Sequence, residues 1–228
     1  MMFTEDENIS AQNEIDYAVE WSKEGGIVGY MWHWQDPLGS GEYYADKTDF
    51  DLSKAMTKQK IAMLTPKEIE KLHKEKKISD ECMAIINDID KISDQLKTLQ
   101  DNYIAVIWRP LHEASNGYFW WGNDSESYKW LWKLLYERQT SYHKLDNLIW
   151  VWNATTRELY PGDDVVDVIT RDMYPPAGDH SSQSEMYNNL IRVTDTKKIV
   201  AIGETGTVPF SENIVKEKVG WCYYMCWS

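Results

Sequence analysis

VIWRPLHEASNGYFWWG, residues Val106 to Gly122, is the stretch from which the rest of the chain is read. Val106, Ile107 and Trp108 form the apolar end of a buried strand, and Pro110 and Gly117 stop regular structure after it. His112 and Glu113 therefore fall where a strand opens into a loop. A carboxylate in that position is aimed by a rigid element and still reaches a cleft. Four large rings, Tyr118, Phe119, Trp120 and Trp121, follow at once. That many rings on one loop exceed what a core alone requires.

Strand and helix signals alternate outward from this point. Upstream, Ser10 to Lys23 predicts a helix with Ile15, Ala18, Val19 and Trp21 toward one side, and Gly25-Gly26 ends it. Ile27 to Trp34 (IVGYMWHW) predicts a strand, and Asp36 to Phe50 a loop. Thr65-Pro66-Lys67-Glu68 is a capping-box pattern with proline at the first helical position. Ile85, Ile89, Ile92, Leu96 and Leu99 repeat at helical spacing, and Tyr103 to Pro110 is the next strand. Downstream, helices are expected at Ser125 to Thr140, Met186 to Ile191 and Ser211 to Glu217. Strands are expected at Leu148 to Asn153, within Val165 to Tyr174, at Ile199 to Glu204 and at Trp221 to Trp227. Six strands joined by helical or loop crossovers mean a parallel sheet in one domain spanning residues 1–228. Within Trp32-His33-Trp34, period two sets the two tryptophans on one face and His33 on the other.

Functional side chains gather at the C-terminal strand ends: His33 and Trp34, then Arg109, His112 and Glu113, then Asn153, Asp172 and Tyr174, Glu204, and Trp227. In a (β/α)8 barrel all these ends share the face that carries active sites. A doubly wound sheet would concentrate its ligand at one switch point and bring a glycine-rich phosphate loop, and the chain has none. The expected fold is thus an α/β, (β/α)8 TIM barrel.

Composition narrows the chemistry. The chain has 228 residues and a formal net charge of −13, which disfavours nucleic acid, anionic membrane surfaces and polyanionic substrates. Twelve Trp and fourteen Tyr stand against four Phe. The excess lies in rings with a polar handle, which suit polar ligands better than dry cores. Cys82, Cys222 and Cys226 form no zinc spacing, and Cys222 and Cys226 lie too far apart along one strand for a disulfide. No apolar run reaches membrane-span length, and the N-terminal MMFTEDENIS is acidic and polar, unlike a signal peptide.

Glu113 and Glu204 each directly follow a hydrophobic strand, and Glu204 sits in Gly203-Glu204-Thr205-Gly206. Taken singly, a glutamate at a strand end is ordinarily a solvated rim residue. As a pair on one barrel face, beside His112 and an aromatic loop, the two fit glycoside hydrolysis. That reaction needs one carboxylic acid to protonate the leaving oxygen and a second carboxylate to attack the anomeric carbon or activate water. The expectation is no metal and no organic cofactor.

These residues resemble glycoside hydrolase family 26, mainly retaining β-mannanases with a (β/α)8 barrel. The resemblance rests on RPLHEASNGYFWWG (Arg109 to Gly122), GGIVGYMWHW (Gly25 to Trp34), Asp172 and Tyr174 as D-x-Y, GETG around Glu204, and the terminal WCYYMCWS. It implies Glu113 as general acid/base and Glu204 as nucleophile. His112 would hold the acid and the sugar, Tyr174 would donate to the nucleophile, and Asp172 would support that network. His33 and Trp227 would line the subsite of the attacked sugar, and Tyr118, Trp120 and Trp121 would meet substrate. Arg109 and Asn153 would be structural supports. Family members often carry Trp where this chain has Tyr118. The resemblance matches the six strands to the third to eighth of the barrel, so the first two strands and the last helix are expected to be missing and the chain to be a fragment. It implies a β-mannan or related neutral polysaccharide as substrate, additional domains in a longer protein, and a secreted or cell-surface location. Other β-glycans, or carbohydrate binding without catalysis, stay open as alternatives.

Overall fold

The computed structural model describes residues 2–3, 8–195 and 197–227. Seven parallel strands lie in sequence order in one sheet: β1 (Met2–Phe3), β2 (Val28–Trp32), β3 (Val106–Arg109), β4 (Leu148–Asn153), β5 (Val168–Asp172), β6 (Ile199–Thr205) and β7 (Trp221–Cys226). The six longer strands are those the alternation predicts. The addition is β1, two residues that pair in parallel with Met31 and Trp32. Two residues carry too little pattern to be seen in an acidic, polar N-terminus.

Helices occupy every crossover but one: α1 (Asn8–Lys23), α2 (Leu52–Ala55), α3 (Pro66–Lys74), α4 (Asp80–Asp101), α5 (Ser125–Glu137), α6 (Ser184–Val193) and α7 (Ser211–Glu217). The β4–β5 connection has only 3₁₀ turns. The capping box forms as read, with Thr65 accepting from Glu68 N and the Glu68 carboxylate accepting from Thr65 N. The Ile85 to Leu99 stripe is buried along α4. Trp21 departs from the helix face assigned to it. It is more than half exposed, its Nε1 donates to Ile27 O, and its ring lies where a side chain at Gly26 would stand.

Strand alternation builds two apolar layers. Outward-facing Tyr30, Trp32, Trp108, Trp150, Trp152 and Ile169 pack against the helices in the main core. Trp32 and Trp34 stack at 3.8 Å between centroids, and Trp34 Nε1 donates to Asp88 of α4. The inner face holds a smaller cluster of Val151, Val168 and Ala201 with Ile107 and Tyr223. Along the same inner face, each strand turns polar toward its C-terminal end. Ile107 gives way to Arg109, Val151 to Asn153, and Val168 to Thr170 and Asp172. The sheet curls into a half-barrel, so that residues of β2, β3, β6 and β7 line one concave cavity of about 550 Å³. Among the described residues no helix is long and apolar enough to cross a membrane.

Candidate active site

A cleft of about 770 Å³ opens over the C-terminal strand ends, lined by Met31, His33, Tyr44, His112, Glu113, Asn116, Tyr118, Asp172, Tyr174, Glu204 and Trp227, among others. It joins residues from five strands and their loops. The backbone after β3 is forced into place. Leu111 and Glu113 both take left-handed conformations, at φ 50° and 51°, on either side of His112. Such angles in non-glycine residues cost about 1–3 kcal/mol each and persist only where the surroundings impose them. Here Glu113 N donates to Asn153 Oδ1 at 2.7 Å, and Trp121 Nε1 donates to His112 O at 2.9 Å.

One continuous chain of hydrogen bonds links the two glutamates. The Asn153 amide accepts from Glu113 N and donates to Asp172 Oδ1 at 2.7 Å and to Thr170 Oγ1 at 2.9 Å. Arg109 Nη1 donates to Asp172 Oδ2 at 2.8 Å, and its Nη2 donates to Glu204 Oε1 and meets Met31 Sδ. Tyr174 OH completes the chain, donating to Glu204 Oε2 at 2.6 Å. A register shift between Arg171 and Asp172 sets Asp172 opposite Glu204 across the β5–β6 pair, as bulges beside sites commonly do. Gly203 is required by this packing. A Cβ there would stand 2.2 Å from Asp172 Oδ1 and 2.7 Å from Asn153 Nδ2.

The two carboxyl groups have different surroundings. Burial, followed by the charges of Asp172 and Glu204, pushes the Glu113 carboxyl up to about 7, while Arg109 and Asn116 pull it partly back. Glu204 is itself buried, and both its oxygens accept from Arg109 and Tyr174. Burial and the Glu204 carboxylate raise the Tyr174 hydroxyl above its ordinary range, so it stays a donor. Burial, then the Arg109 charge and His33, holds His112 well below the usual imidazole range. Burial lowers His33 despite the attraction of Glu204. Both rings are therefore neutral near pH 7.

The expected site residues sort into three groups. His33, His112, Glu113, Tyr118, Asp172, Tyr174, Glu204 and Trp227 line the cleft. Arg109 and Asn153 are buried beneath it and hold its members by the bonds just described. Trp120 and Trp121 are a correction: both are 0% exposed and line no part of the cleft. Their indole nitrogens donate to Trp34 O and His112 O, so they form the wall that carries the loop. Tyr118, by contrast, is 60% exposed. Met31, Tyr44 and Asn116 are among the lining residues that escaped the sequence reading. Period two from His33 along β2 points to Met31, and the paired tyrosines in a polar loop were the available signal for Tyr44.

A carboxyl group raised to about 7 and a second, buried carboxyl group held by two donors, both at the strand ends of a parallel α/β half-barrel, define a class of acid/base hydrolytic site. The chain belongs to glycosyl hydrolase family 26, whose model matches residues 4–228. It is 36% identical over 225 residues to a mannan endo-1,4-beta-mannosidase of Thermothelomyces thermophilus, covering 94% of this chain and 42% of that protein. Among solved structures, the GH26-CBM35 beta-(1,4)-mannanase of Podospora anserina matches with a TM-score of 0.80 at 36% identity, over 94% of this chain and 46% of that one. A beta-mannanase from a symbiotic protist of the termite Reticulitermes speratus, complexed with gluco-manno-oligosaccharide, matches with a TM-score of 0.83 at 33% identity, over 98% of this chain and 64% of that one. The chain thus spans about two fifths of the length of the Thermothelomyces relative.

Proposed function

We propose that this chain carries the catalytic face of a retaining β-1,4-mannanase. The observation that carries the reading is the contrast between Glu113, raised to about 7, and Glu204, whose two oxygens accept from Arg109 and Tyr174. A carboxyl raised to about 7 suits the acid, and a carboxyl whose two oxygens are each held by a donor suits the nucleophile. Glu204 attacks the anomeric carbon while Glu113 hands its proton to the departing oxygen, leaving a glycosyl ester on Glu204. Glu113, now ionised, takes a proton from water, and that water releases the sugar. Mannan as the substrate is supported by the names of the relatives, all mannan endo-1,4-beta-mannosidases. The same reading aligns β2 to β7 with the third to eighth strands of an eight-stranded barrel. A polymeric substrate also implies action outside the cell.

Hydrolysis of β-mannan, glucomannan and mixed-linkage glucan by the parent chain, Glu113→Ala and Glu204→Ala tests the reading. Expected is turnover of mannan by the parent, lowered by roughly 10²–10⁴ in Glu113→Ala and abolished in Glu204→Ala. Turnover of glucan but not mannan would move the substrate to another β-glycan. Binding of mannan with no turnover by the parent would reduce the chain to a carbohydrate-binding module.

A further inference from the structure

Tyr103 is 98% exposed, more than any other large hydrophobic side chain among the described residues. It lines a cavity of about 600 Å³ with Gln100, Asp101, Ala105, Asp146 and Asn147, among others. We propose that this cavity is a second carbohydrate site, in which the Tyr103 ring stacks on a pyranose of a neutral polysaccharide and holds the polymer away from the cleft. The inference rests on the glycoside-hydrolase reading for the identity of the polymer, and it adds a site that takes no part in cleavage.

The cavity lies at the opposite end of the strands from the two glutamates. Ile104 and Ala105 lead directly into β3, and Asn147 leads into β4. Those strands have four and six residues, and at about 3.3 Å each they set the cavity roughly 13–20 Å from the C-terminal ends. None of the residues lining it also lines the catalytic cleft.

The backbone holds the ring out at a cost. Tyr103 N donates to Gln100 O at 2.8 Å and Ile104 N donates to Leu99 O at 3.0 Å, the paired bonds of a Schellman cap, and the buried side chains of Leu99 and Ile104 complete it. Tyr103 takes the left-handed position of that cap, at φ 60°. Glycine adopts this conformation freely, whereas a side chain strains it. The ring recovers nothing by packing, since it stands in solvent. Leu111 and Glu113, at similar angles, flank His112 in the cleft, and Lys76, Lys144, Gln183, Asp195 and Lys218 carry polar side chains suited to water. Among the described residues Tyr103 is the one aromatic ring held this way. An outlier retained without a packing reason points to function.

The surroundings suit a polyol. Gln100 Nε2 donates to Lys144 O at 3.0 Å, Gln100 Oε1 accepts from Asp146 N at 2.8 Å, and Asn147 Nδ2 donates to Ile104 O at 2.9 Å. The end of α4 and the loop before β4 are thus joined in advance, which spares a ligand the entropy of ordering them. Lys97 and Asp101 pair with each other at 3.0 Å, which leaves the exposed Asp146 carboxylate to accept from hydroxyls. That carboxylate, on a chain of net charge −13, disfavours a polyanion. Ile104 is buried, so the lining offers one flat ring among amide and charged groups, unlike the apolar centre of a protein interface.

Retention on insoluble β-mannan, measured by depletion from a brief cold suspension, tests the site together with kcat/KM on soluble β-1,4-mannopentaose. Tyr103→Gly removes the ring and relieves the left-handed cap, so it keeps the fold, and Tyr103→Phe keeps the ring. Expected is retention lowered about threefold or more in Tyr103→Gly, the scale of one lost ring contact, and kept in Tyr103→Phe, with kcat/KM equal in all three proteins. Retention unchanged in Tyr103→Gly, an equal fall on polystyrene beads, or a fall in kcat/KM alongside it overturns the second site and leaves the hydrolase reading standing. So does a parent that cleaves mannopentaose without being retained on mannan. A loss in Tyr103→Phe as large as in Tyr103→Gly overturns the stacking. Ring-dependent retention with no cleavage by any of the three overturns the hydrolase reading and leaves the carbohydrate site standing.

Discussion

Glu113 is the residue whose titration governs the proposed chemistry. Its carboxyl is held at about 7 mainly by burial, against about 4.3 for a free glutamate. As the proposed general acid it must carry its proton, so under that reading kcat/KM on mannan is expected to fall as pH rises through 7, and a pH–rate profile checks this. The same shift acts on stability. Between roughly pH 4.3 and 7 the folded chain keeps a proton that the unfolded chain has released, so this group's contribution is fully present below about 4.3 and is lost as pH rises through 7. Glu113→Gln should therefore raise Tm at pH 8 and leave it little changed at pH 4, measured by thermal melts at both values. Tyr174→Phe removes one hydroxyl donor from the Glu204 carboxylate. Hydrogen bonds to charged groups contribute about 1.5–3 kcal/mol, so steady-state kinetics should show a loss of roughly 10- to 150-fold with the fold intact.

At the scale of elements, the site depends on β5 and β6 approaching closely above their register shift. Gly203 makes the approach possible, because Asp172 and Asn153 occupy the space of its missing side chain. Gly203→Ala forces Asp172 off Arg109 or parts the strands. The expected cost is about 1–3 kcal/mol, as for other overpacked sites, together with lost activity, measured by chemical denaturation and by turnover. The sequence identified the GETG exit as special through its glycines. It could not show which neighbour fills the space, since Asp172 and Asn153 come from other strands. The loop after β3 teaches the same lesson. Trp120 and Trp121 read like Tyr118 in sequence, yet they are the buried wall and Tyr118 the exposed face.

For the whole molecule, the curl of the sheet leaves an apolar trough on its concave side. Ile27, 77% exposed, lines it with Tyr223 and Met225 of β7. Exposed apolar patches of this kind bind apolar partners, and sheet edges template further pairing. The native chain is expected to bind an environment-sensitive hydrophobic dye, and Ile27→Lys should reduce that fluorescence without changing far-ultraviolet dichroism. An unchanged signal would assign the dye to another surface.

The sequence by itself determined the order and kind of nearly every element, because periodicity and capping are local: the Ile85 to Leu99 stripe and the Thr65 box each act within a few residues. It also singled out Glu113 and Glu204, because a carboxylate directly after a hydrophobic strand is visible in one dimension. Only the tertiary structure decided the hydrogen-bonded path from Glu113 through Asn153, Asp172 and Arg109 to Glu204 and Tyr174. It alone separated the buried tryptophans from the exposed tyrosine, brought Tyr44 to the cleft, and gave Glu113 an acid's proton affinity. Each of these depends on which strands lie side by side and how deeply they are covered, and burial and neighbouring charge are set by residues distant in the chain.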